Sequence, residues 1–217
     1  MAKLAKKGQS FKPVRIEGQT IAKTFWGKAW CDNLESYSDF ENRLPRGRNY
    51  VRNGSVVHLE IAKGEIIARV SGSKMYTVQV SLAAAAANRW KTLCKQCAGG
   101  IGSVVELLQG RFSGEVMRVI THRQNGLFPS PAEIKMKCSC PDWATMCKHV
   151  AATLYGVGAR LDENPELLFL LRSVDHLEMV SEAAGALELM AQTTGGAGEL
   201  TESEIGSVFG IELVSCH

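Results

Sequence analysis

The sequence has no apolar run approaching the roughly 18 residues of a membrane-spanning helix, so a membrane protein is not expected. The basic opening, with Lys3, Lys6 and Lys7, leads into no apolar stretch of the secretory kind. A cytoplasmic location is the expectation. A disulfide framework is also missing. Cysteines number seven, and Cys31, Cys94, Cys97 and Cys216 are scattered without pattern. There is no paired-carboxylate motif, phosphate-binding loop, H-E-x-x-H or nucleophile elbow, so no enzyme is expected. Nothing in the sequence fixes an oligomeric state.

What is present is an uneven distribution of charge. Residues 1–137 carry 22 Lys and Arg against 10 Asp and Glu, whereas residues 138–217 carry 3 against 12. A basic front and an acidic back suit a nucleic-acid surface at one end and a protein-facing tail at the other. They equally suit two halves that neutralise each other on folding. A hydrophobic fraction of 45% is enough for a sizeable core.

Residues 1–23 read as a flexible basic arm and 24–126 as an α+β domain. Trp26, Trp30 and Leu34 recur every fourth residue, one face of a helix, which suits core packing more than base stacking. Arg43, Arg46, Arg48, Tyr50 and Arg52, among Pro45, Gly47 and Gly54, read as a basic loop. Arginine forks fit phosphate and an interleaved tyrosine stacks on bases. The same composition also describes an exposed loop with no partner. From Ser55 to Leu82 three alternating runs form a β-meander. Ala83 to Ala98 reads as a helix, and Cys94 and Cys97 on it share a face with Trp90 and Leu93, as small buried residues do. Further helices are expected over Ile101 to Leu108 and Ser113 to His122, followed by a stiff connector, Gly126 to Pro131. Glu133 to Cys140 alternates as a strand. Helices follow from Val150, from Asn164-Pro165, and over Asp175 to Ala191. A linker, Thr193 to Gly198, leads to a short terminal helix opened by Thr201 and Glu204. Residues 176–217 form an acidic helical tail.

The strongest chemical signal is Cys138-Ser-Cys140, six residues, then Cys147-Lys-His149. Three thiols and an imidazole within twelve residues supply the donors of a closed tetrahedral Zn²⁺ site. The competing readings are free thiols or a thiol nucleophile with His149, neither of which needs four such groups. On a strand Cys138 and Cys140 point to one side. On a helix, residues two apart point about 200° apart, so Cys147 belongs at a helix start and His149 in its first turn. Four protein donors leave no position for water, so the expected metal is structural. Trp143 reads as a lid over the site or as core elsewhere.

C-x-C followed by C-x-H resembles the SWIM zinc finger, on Cys138, Cys140, Cys147 and His149, with Cys-Pro-Asp and Lys-His-Val-Ala-Ala around them. Phe25-Trp-Gly-Lys-Ala-Trp30, Leu44-Pro-Arg-Gly-Arg48, Val105 to Gly110 and Leu127 to Pro131 extend the resemblance to bacterial SWIM zinc finger family proteins over most of residues 24–175. The resemblance implies a ββα-like zinc module with its following helices over residues 127–175, then C-terminal helices, within an α+β fold opening on the meander. It also implies an accessory protein that binds DNA or RNA beside a Swi/Snf-type helicase, or an adaptor that docks protein alone.

Overall fold

The structure is a computed structural model that describes residues 11–37, 42–98 and 113–194. The expected helix over Ile101 to Leu108, the chain from 195 with its terminal helix, Cys216 and residues 1–10 lie outside these. The fold is α+β. Its centre is a four-stranded antiparallel sheet in the order β1-β2-β3-β4. Strands β1 (Val56–Ala62), β2 (Glu65–Ser71) and β3 (Met75–Leu82) are the expected meander. Gly64, at φ 68°, closes the first turn between Ala62 and Glu65. The alternation works as read: Ile66, Ala68, Val70, Val78 and Val80 are buried on one face.

The fourth strand, β4 (Ile134–Cys138), returns from fifty residues further on and pairs with β3, Leu82 opposite Ile134 and Val78 opposite Cys138. Among the described residues, the segment that ends in Cys138 is thus an edge of the sheet.

Helices α1 (Phe25–Glu35) and α2 (Leu44–Arg52) precede the sheet. Helices α3 (Ala87–Ala98), α4 (Gly114–Ile120), α5 (Lys148–Glu163), α6 (Leu167–Leu171) and α7 (Leu177–Thr194) follow its first three strands. No helix among the described residues is long and apolar enough to cross a membrane. Helix α5 is the hub. It lies on the sheet and carries α1 and α2 on its flanks, so residues from His149 to Leu161 are buried on nearly every side. Trp26, Trp30 and Leu34 are core, and Trp30 donates from Nε1 to the Leu154 carbonyl at 2.9 Å. From the far end of α5, Asp162 accepts from Thr24 N and Oγ1 and from Lys23 N, satisfying donors at the start of α1.

Several stretches depart from expectation. The segment from residue 11 is held along β1: Val14 N donates to Val56 O and Leu59 N to Lys12 O, at 3.0 and 2.9 Å, and Val14 is buried. Residues 83–86 are not helical, because Ala83 N is taken by Glu133 O and Ala85 N by Arg172 O. Thr193 and Thr194, read as linker, are the last turn of α7. The arginine-rich stretch is a helix rather than a loop. Pro45 sits in its first turn, where a missing N–H costs nothing. Gly47 lies inside it for a steric reason: a Cβ there would run into Ala151 Cβ and stand 2.9 Å from the α5 backbone. Replacing Gly47 by Val is therefore expected to force α2 off α5, costing about 1–3 kcal/mol and lowering Tm by about 3–10 °C in a thermal melt. An unchanged melt would show that the two helices separate freely.

Candidate metal centre

The donor atoms of Cys138, Cys140, Cys147 and His149 all lie within 4.8 Å of one another. Cys138 is the last residue of β4, and Cys140 lies two residues past the strand end. Ser139 between them exchanges bonds with Thr77: its N–H donates to Thr77 O and its Oγ accepts from Thr77 N, each at 3.0 Å. The pairing therefore carries the chain beyond the assigned strand and aims both thiols the same way. Cys147 is the N-cap of α5 in extended conformation, and His149 is the second residue of the helix, as helical geometry demanded. Within residues 127–175 there is one strand, β4, before α5, so the ββα-like module expected there is not self-contained: the strand beside β4 is β3 of the meander.

The spacing fits a metal. His149 Nδ1 stands 3.8 Å from the sulfurs of both Cys138 and Cys147. A tetrahedral ion with metal–sulfur bonds of about 2.3 Å has donor–donor edges of about 3.6–3.8 Å. The ring's other nitrogen, Nε2, is buried without a hydrogen-bond partner. Packing orients the imidazole instead. Tyr76 stacks on it at 4.3 Å and 25°, and Tyr50 meets it edge-on at 5.4 Å. Gly72 borders Nε2, where a Cβ would come within 3.3 Å.

Electrostatics favour the ligand forms once a cation is bound. Burial, then the charge of Lys148, holds His149 below its ordinary value, against a smaller upward pull from Asp142, so the ring is neutral near pH 7. Burial chiefly pushes the Cys138 thiol up to about 12 and raises Cys147 too. A dication reverses this by stabilising thiolates, so binding releases protons and weakens as pH falls. Three thiolates and a dication sum to −1, which the positive start of α5 offsets.

The loop between Cys140 and Cys147 is pinned from α2. Arg43 forks onto Asp142, Nη1 to Oδ2 at 3.2 Å and Nη2 to Oδ1 at 3.3 Å, while Asp142 Oδ1 accepts from Ala144 N. Trp143 neither lids the metal nor joins the core: it is 93% exposed.

The five residues read as nucleic-acid candidates are divided by the fold. Arg43 is used on Asp142, and Arg48 on Glu35 at 2.6 Å. Tyr50 packs on His149 with Lys148 Nζ 5.0 Å over its ring. Arg46 and Arg52 are exposed. Cys94 and Cys97 are buried in α3, and burial raises both thiols, to about 11 and about 12, the behaviour of inert packing residues. Sequence reasoning missed Tyr76 and Gly72 as walls of His149. Tyr76 shares a face of β3 with buried Val78 and Val80, so the strand's alternation carried a signal for it.

The four donors form a plausible metal site, compatible with a zinc finger. No family model matches the chain, and no solved structure matches it. Among curated proteins it is similar to an uncharacterized protein of Mycobacterium tuberculosis, Rv2102, with 32% identity over 169 residues. The match takes in 76% of this chain and 61% of that protein, so the chain spans about three fifths of the relative's length.

Proposed function

We propose that the ion is Zn²⁺ and that it serves a SWIM-type structural finger in a non-enzymatic nucleic-acid-binding accessory protein. The closed Cys₃His donor set supports zinc without a catalytic position. What carries the nucleic-acid reading is the cationic end built around the finger. Arg46 and Arg52 are exposed on α2, which packs on α5 and sets Tyr50 against His149, Lys148 follows Cys147, and exposed Lys74 stands in the turn with Gly72 beside His149. Such a cluster suits a phosphate backbone. A Swi/Snf-type helicase is the proposed protein partner, on the resemblance alone, and a cytoplasmic setting goes with this reading.

The test uses the full zinc-loaded chain with a labelled 20-nucleotide strand and a 20-base-pair duplex, at about 50 and 200 mM salt. Binding to one or both is expected, falling steeply with salt, and Arg46→Ala with Arg52→Ala should weaken it and flatten the salt dependence. No binding to either probe at the lower salt would sink the reading.

A further inference from the structure

An indole that is 93% exposed, on a loop closed at both ends by metal ligands, is unlike the other tryptophans of this chain. Trp26, Trp30 and Trp90 are 4%, 3% and 5% exposed. Nothing in the core needs Trp143, and water does not favour so large an apolar face. Its loop is also held still. The Arg43 fork on Asp142, the Asp142–Ala144 turn and Pro141 fix its path, and Cys140 and Cys147 anchor its ends. The backbone that displays the indole has little freedom left to lose on contact, which lowers the cost of using it as a binding anchor. Its surroundings are cationic. Asp142, the neighbouring carboxylate, is neutralised by Arg43, exposed Arg46 lies one helical turn beyond Arg43 on α2, and Lys148 directly follows Cys147 where the loop ends.

We infer that Trp143 is a stacking platform for an unpaired nucleobase, with Arg46 and Lys148 taking the flanking phosphates, so that the finger selects single-stranded over duplex nucleic acid. This rests on the nucleic-acid reading above and adds the strand form. An aromatic face with cations beside it matches a strand whose bases have free faces. A duplex hides those faces, and opening a base step to admit the indole costs unstacking energy that an unpaired strand does not spend. An anionic protein segment would use the cations but would leave the indole without a matching π-face.

The experiment measures anisotropy of a labelled thymidine 20-mer and of a 20-base-pair duplex with full-length zinc-loaded protein, as wild type, Trp143→Ala and Trp143→Phe. Zinc content is measured for each, and the exposure of Trp143 means the fold is not at stake. Expected is tighter binding of the single strand by wild type, a roughly 5- to 150-fold loss for Trp143→Ala on that strand, partial recovery with Phe and little change on the duplex. Quenching of tryptophan emission on binding should vanish in Trp143→Ala. Equal single-strand affinity of wild type and Trp143→Ala overturns the inference while leaving the nucleic-acid reading standing. An equal loss on both probes, or tighter duplex binding, overturns the strand preference. Failure of wild type to bind either probe overturns both readings together.

Discussion

Replacing Cys140 with serine is expected to strip the metal from the chain and lower Tm by about 10 °C or more. Metal binding in structural zinc modules is worth about 10–16 kcal/mol near pH 7, and that energy is folding energy. A whole domain retains only about 5–15 kcal/mol. Losing one of four donors removes only part of the metal's contribution, but part of it is already comparable to the margin. The fold says where the damage falls. A metal held by the four donors would tie the end of β4, which among the described residues pairs only with β3, to the first turn of α5, the helix on which the sheet, α1 and α2 are all packed. The stripped state is not burdened with buried charge, because burial keeps the Cys138 thiol protonated up to about 12. The lost stability is therefore the metal's own, and fraying should start at residues 138–149 before the core follows. Elemental analysis, thermal melts and hydrogen exchange check this, with about one zinc per wild-type chain expected. A Cys140→Ser protein with full zinc and an unchanged melt would falsify the site.

Which parts of this were legible in the sequence follows from where the determining contacts lie. The donors were legible because their constraint is local: strand and helix periodicities alone place Cys138, Cys147 and His149. Cys140 lies two residues past the end of its strand, and what keeps it aligned is Ser139 bonding to Thr77, sixty-two residues away. Helix α2 was hidden for a related reason. Pro45 and Gly47 look like loop residues, yet one is a first-turn proline and the other makes room for Ala151, a residue of a helix a hundred positions later. The alanine run failed in the opposite sense. Residues 83–86 have high helix propensity, but Glu133 and Arg172 take their backbone groups. Trp143 could not be assigned from sequence at all, since exposure is a property of the finished fold.

Arg172 shows the largest gap between the two views, and its replacement by leucine should cost about 3 kcal/mol. In the sequence it is one of only 3 cations after residue 137, an ordinary surface residue by type. In the fold its surface is fully covered. At the end of α6, Nη1 donates to Ala83 O at 2.8 Å and Nη2 to Glu133 Oε1, while its carbonyl receives Ala85 N. One side chain thus joins α6, the link between β3 and α3, and the entry to β4. Breaking a buried pair from one side costs about 3–5 kcal/mol because the remaining charge is left unpaired. Glu133 is 24% exposed at its side chain, keeps Arg89 Nη1 at 3.8 Å and still accepts from Ser130 N and Oγ, so water, a second cation and these bonds relieve part of this and the lower figure applies. A drop of roughly 6–12 °C in Tm is expected, with zinc retained. The pH dependence has a definite sign. Burial alone would raise Glu133, but hydrogen bonds from Ser130 and Arg172 and the Arg172 charge together hold it below its ordinary 4.5. A lowered carboxyl stabilises the fold fully above the unfolded value and loses that contribution as pH falls through the folded one. The stability gap between wild type and Glu133→Gln should therefore be constant above about pH 5 and close progressively below it. A gap that does not change with pH would mean the carboxylate's charge is not what Arg172 holds. Recovery in the Arg172→Leu, Glu133→Leu double variant, relative to Arg172→Leu alone, would show that the cost lies in the abandoned partner rather than in lost packing.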